Sequence, residues 1–152
     1  MRALMGLILL VTPACMSSQA DGGRSGDRML EQFMRDYAAA WNRHDADGIA
    51  RGFYRMRESP AEESAGLAQG FAALRAQGYS HSDIIEVKAC RTGPDEAWAG
   101  MRFVRLTAAG EPLGPPLRAS AYTLRRFSDG WRIIRIGPGA ASPETPLACP
   151  AP

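Results

Sequence analysis

Asp36-Tyr-Ala-Ala-Ala-Trp-Asn-Arg-His-Asp-Ala-Asp-Gly-Ile49 and Tyr122-Thr-Leu-Arg-Arg-Phe-Ser-Asp-Gly-Trp-Arg-Ile-Ile-Arg-Ile136 are the two stretches that decide the fold. In the first, Tyr37 and Trp41 share one helical face until Asn42-Arg43-His44 interrupts it. Asp45 then supplies the side chain that caps a second helix. In the second, two strand-like runs flank Asp129-Gly130, a pair that favours the φ > 0 turns of tight hairpins. Helices come first and antiparallel strands last, which predicts an α+β domain.

Upstream, the spacing of Leu30, Phe33, Met34, Tyr37 and Trp41 predicts a helix starting near Asp27, a good N-cap. A short helix over 46–54 presents Ile49, Phe53 and Tyr54. Gly48 and Gly52 weaken it by about 1 kcal/mol each relative to alanine, so packing must hold it. Ser59-Pro60 with Glu62 forms a capping box for a third helix carrying Leu67, Phe71 and Leu74, and Gly78 suits its end.

Downstream, residues 84–91 alternate. Ile85, Val87 and Ala89 form a dry face, and Glu86, Lys88 and Cys90 a wetter one. A turn at Thr92-Gly-Pro-Asp95 leads to a long strand over 96–107 with Trp98, Met101, Phe103 and Val104. Residues 108–116 are too rich in glycine and proline to continue it. Strands over 117–127 and 131–136 close the domain, and the Pro-rich tail over 137–152 reads as irregular.

These elements resemble the cone-shaped superfamily of nuclear transport factor two, SnoaL-like polyketide cyclases and ketosteroid isomerases. The motifs that carry the resemblance are Trp41-Asn-Arg-His-Asp45 and Asp129-Gly-Trp-Arg-Ile133, and it covers 27–136. It implies a curved, mostly antiparallel sheet wrapped around helices, with a pocket inside. Relatives place a hairpin between the second and third helices. Only Arg55-Met-Arg-Glu-Ser59 is available here, so that hairpin is truncated or absent. The open sheet face of this fold often pairs with a copy of itself, which implies a homodimer.

Enzymes of that superfamily use carboxylates inside the cone. Here only Glu86 and Glu96 fall in probable strands, and Glu86 is out of phase with the apolar face. His44-Asp45 has the residue types of an acid–base dyad, but adjacent residues do not naturally face one another. The preferred reading is that Asp45 caps the second helix while His44 ends the first. Tyr37, Trp41, Tyr54, Met101, Phe103 and Tyr122 are the candidate pocket lining; each also serves as an ordinary core residue. Arg102 and Arg118 are candidates for an anion contact at the rim, or simply for a solvated sheet face.

The amino terminus has the pattern of an export signal: Arg2, then an apolar run from Ala3 to Val11, then small residues at Ser18 and Ala20. Cleavage after Ala20 is the first reading, with residues 21–26 as a Gly-rich spacer; lipidation of Cys15 is the alternative. The run is shorter than the roughly 20 residues of a membrane span. Both readings place the mature protein outside the cytoplasm, in the periplasm or beyond. There Cys90 and Cys149 are an even pair expected to form a disulfide.

The formal charge of the whole chain is only +2, and Lys88 is the sole lysine. No basic run with interleaved aromatics appears, which disfavours nucleic acid. Neither the cysteine spacing nor the two histidines suit a metal. No cofactor is implied. The sequence therefore points to an exported domain that binds a small apolar molecule or a partner, without evident catalytic residues. An isomerase, cyclase or hydrolase with an unrecognised acid–base group, and a dimerising module, are the alternatives.

Overall fold

One helix packs on a face of a four-stranded antiparallel sheet, a second packs on the first and a third on the second, in a computed structural model that describes residues 27–137 and 141–151. The helices are α1 (Arg28–Asn42), α2 (Ala46–Gly52) and α3 (Pro60–Ala76). The strands β1 (His81–Arg91), β2 (Glu96–Leu106), β3 (Arg118–Phe127) and β4 (Gly130–Gly137) follow in that order across the sheet. Every strand pairs with its sequence neighbour, so no crossover is needed. The export signal, the spacer and Cys15 lie outside the described residues.

Local chemistry sets the helix starts. Asp27 accepts the N–H groups of Met29 and Leu30, and Asp45 that of Gly48 at 2.8 Å. The Ser59 hydroxyl accepts the N–H of Glu62 at 3.2 Å, with Pro60 in the first helical turn. Gly78 follows α3 with φ of +91°, a left-handed conformation that glycine adopts without a steric penalty. Between β3 and β4, Gly130 has φ of +114° in the turn after Asp129.

The core lies between the helices and the inner face of the sheet. Leu30 and Met34 of α1, Ile49 of α2, Phe71 of α3, Leu124 of β3 and Ile133 of β4 are its largest fully buried side chains. Burial of such residues stabilises by roughly 1.5–3 kcal/mol each.

Two departures from the sequence reading concern β1. The strand begins at His81 rather than Ile84, and a bulge between Ile84 and Glu86 shifts its register against β2. An extra residue at a bulge reverses the side-chain alternation. Ile84 therefore packs on the core, and Ile85, expected on the dry face, is exposed. Val87 and Ala89 remain buried as expected.

No hairpin separates α2 from α3 among the described residues. What occupies its place is a single parallel bridge between Tyr54 and Ile133. The N–H of Arg55 donates to the carbonyl of Ile133 at 2.9 Å, and the N–H of Ile133 to that of Phe53 at 2.7 Å. Glu63, buried on α3, completes the junction: its carboxylate accepts the N–H groups of Met56 and Arg57.

Residues 141–151 are irregular, yet they are attached. Cys149 is disulfide-bonded to Cys90, with α-carbons 5.9 Å apart. Leu147 is buried against Cys90, Trp98 and Ala121 on the outer face of the sheet.

Candidate functional site

Strand alternation aims one file of side chains from each central strand into the cone. On β2 these are Met101, Phe103 and Arg105, and on β3 Ser120 and Tyr122; Asn42, Trp41 and Tyr37 reach the same space from α1. They enclose a cavity of about 130 Å³, with Ser82, Ile84 and Ile136 also in its wall. Of the six aromatic and sulfur residues singled out in the sequence, Tyr37, Trp41, Met101, Phe103 and Tyr122 line it. Tyr54 stands behind them, its hydroxyl sharing a 2.7 Å hydrogen bond with that of Tyr37.

The aromatic wall is a connected cluster. The Tyr37 ring lies 5.8 Å from that of Tyr122 and 6.0 Å from that of Trp41, both edge-on, the geometry aromatic quadrupoles favour. Burial, reinforced by the neighbouring phenols of Tyr122 and Tyr54, holds the Tyr37 hydroxyl well above its usual titration range. Burial also raises Tyr54, and pushes Tyr122 up to about 12 against the opposing hydrogen bonds of Ser120 and Tyr37. All three are neutral phenols at physiological pH. No carboxylate is among the residues lining the cavity.

Several polar groups of the wall are already paired. The Asn42 side chain donates to the carbonyl of Ser82 and accepts its N–H, each at 2.9 Å. The Ser82 hydroxyl shares a 2.9 Å hydrogen bond with Tyr79. Asn42 thus ties α1 to β1 at the cavity wall.

His44 and Asp45 diverge. Asp45 is occupied with the α2 cap, and its carboxylate also approaches Arg43 at 4.0 Å. His44, with φ of 53°, stacks its ring 5.0 Å from Phe71 and 5.6 Å from Tyr79. The structure brings no dyad together there.

Arg102 is not at the cavity rim. It lies on the outer face, donating to Glu86 at 2.9 Å and to the carbonyl of Pro143 at 3.0 and 3.2 Å, which holds the tail. Arg118 is directly opposite Phe103, on the same file of β3 as Ser120 and Tyr122, but it is not among the residues lining the cavity and its guanidinium lies beside Gly114. Arg105 is a cavity residue that the sequence reading passes over. The alternation Met101, Phe103, Arg105 is the signal that places it on the same face.

Helices packed inside a curved antiparallel sheet, with a cavity between the two, define a cone of the cystatin-like type. The chain belongs to the family described as NTF2-like protein (DUF6841), which it matches over residues 27–141. No curated protein matches its sequence. Solved structures share the fold at low identity. An NTF2-like protein with a cystatin-like fold from Novosphingobium aromaticivorans is 22% identical with a TM-score of 0.53, over 72% of this chain and 79% of that one. A domain with a cystatin-like fold from Nostoc punctiforme is 17% identical with a TM-score of 0.55, over 79% and 76%. Aln2 from a Streptomyces species is 19% identical with a TM-score of 0.53, over 72% and 87%.

Proposed function

We propose that this is an exported NTF2-like protein that binds a compact, largely apolar molecule in the cone cavity and does no chemistry on it. The observation that carries this reading is the wall itself. Trp41, Met101, Phe103 and Ile136 offer apolar surface, the rings of Tyr37 and Tyr122 extend it, and Arg105 and Ser120 are polar residues in the same wall. At about 130 Å³ the space lies well below the roughly 300–1,000 Å³ of drug-sized sites, so the ligand is small.

Proton abstraction needs a base within reach of the substrate, and a buried phenol with a raised pKa is a donor instead. The purely dimerising alternative draws less support. Leu147 and Cys149 cover Trp98 and Ala121, and the rest of the outer face near β4 carries Arg125 and Arg135. A homodimer through that face would have to form around the tail. Export is proposed from the Arg2 and apolar-run pattern, and it agrees with a disulfide that an oxidising compartment preserves.

Native mass spectrometry of protein recovered from the exported fraction tests the reading, because it reports subunit count, amino terminus and retained ligand together. A mass excess that matches one small molecule per chain supports it. Turnover of a bound compound would overturn the non-catalytic assignment.

A further inference from the structure

We propose that the ligand is a compact organic monoanion, an aromatic or short aliphatic carboxylate, whose charge is held by Arg105, with the Arg118 charge beside it, while its apolar body lies among Trp41, Met101 and Phe103. This deepens the reading of the cavity as a ligand site and rests on it.

The strand register brings the two arginines together. Phe103 pairs with Arg118, and Arg105 follows Phe103 by one alternation, so both positions share the inner face; Arg105 lines the cavity, and Arg118 stands next to it with its guanidinium beside Gly114. Their Nε atoms are buried without a hydrogen-bond partner among the described residues. Arg55, Arg91, Arg102 and Arg125 each reach a carboxylate; neither Arg105 nor Arg118 takes part in an ion pair among the described residues. Burial, and then the adjacent Arg118 charge, push Arg105 below its usual titration range.

Two neighbouring like charges with buried, unpaired Nε donors favour an anion beside them. Among the described residues the Tyr79 ring lies 5.9 Å from the Arg105 guanidinium carbon, and the Nε donor of Arg105 has no partner. A carboxylate matches that planar fork of donors. The apolar walls and small volume exclude a nucleotide or a polyphosphate, which needs more room and more cation.

Calorimetric titration at low ionic strength with benzoate, its neutral isostere benzamide, and toluene separates the claims. Benzoate is expected to bind about tenfold or more tightly than benzamide, as charge-assisted hydrogen bonds imply. Arg105→Gln should bring that ratio close to one while toluene still binds, with circular dichroism confirming the fold. Arg118→Gln is the second variant, expected to reduce the ratio if Arg105→Gln does not fold. Equal affinities for benzoate and benzamide, with toluene still bound, would overturn the anion assignment and leave the apolar cavity reading standing. Failure of all three probes to bind would overturn both.

Discussion

Glu86 on β1 accepts the backbone N–H of Leu147 at 3.0 Å, which hangs the tail on the outer face of the sheet. The same carboxylate accepts from Arg102, and Arg102 in turn donates to Pro143. A residue that the sequence assigns to a wetter strand face thus serves as a clamp. Glu86→Ala leaves a part-buried N–H and guanidinium without their acceptor. It is expected to lower stability by about 1–2 kcal/mol in urea unfolding. Limited proteolysis should then cut first near residues 141–147; an unchanged cleavage pattern would show that the clamp is incidental.

The disulfide is the second attachment. Cys149→Ser is expected to lower stability by up to about 4 kcal/mol in the chain-entropy picture, since the bridged cysteines are 59 residues apart. Alkylation of the unreduced native protein should label neither Cys90 nor Cys149. Quantitative labelling of both would mean that the tail is held without the disulfide, by Glu86, Arg102 and the packing of Leu147.

Gly100 makes the seat for Leu147. A Cβ there would lie 2.6 Å from the Trp98 ring and 2.8 Å from a Leu147 methyl, so one of them must move. Gly100→Ala should release the tail while the inner face, with Ala99 and Met101, keeps its packing. Increased hydrogen exchange confined to the tail is the expected signature; global unfolding at lower denaturant would show that Gly100 supports the sheet instead.

Asp45→Ala removes the α2 cap and should cost about 0.5–2 kcal/mol while leaving ligand binding intact. Gly48→Ala is the companion variant. Its Cβ would run into the Asp45 carboxylate, so the usual helix gain of about 1 kcal/mol should be offset by loss of the cap. Loss of an activity in a folded Asp45→Ala protein would restore His44 and Asp45 as a working pair.

Alkaline titration reads the tyrosine cluster. Tyr37, Tyr54 and Tyr122 have folded pKa values above the unfolded value near 10. A raised acid favours its neutral form, so the stability these groups contribute is fully present below about pH 10. It is lost as pH rises through the folded values, about 12 for Tyr122. Phenolate absorbance from these three should appear together with unfolding rather than before it. Early, independent ionisation would mean that water reaches the cluster.

Local signals were legible in the sequence, and long-range ones were not. Asp27, Asp45 and Ser59 act on N–H groups within their own first turn, and Asp129-Gly130 closes its own hairpin, so residue type alone located them. The bulge beside Ile85 depends on how β1 meets β2, which no window of β1 contains. Leu147 is buried by Trp98 and Cys90, and Glu63 by the chain at Met56 and Arg57, partners distant in sequence or set by a turn. The site divides the same way. Its aromatic lining followed from helix and strand periodicity, whereas Arg102 and Arg118 were separated only by the face each strand turns inward.

Titration with toluene, followed by NMR shifts at the Met101 methyl and the Trp41 indole, tests the cavity most directly. Saturable shifts at these two residues and at Phe103 and Tyr122, with the outer-face Trp98 unmoved, are the predicted result. Shifts centred on Trp98, or none at Met101 up to the solubility of the probe, would contradict a ligand site inside the cone.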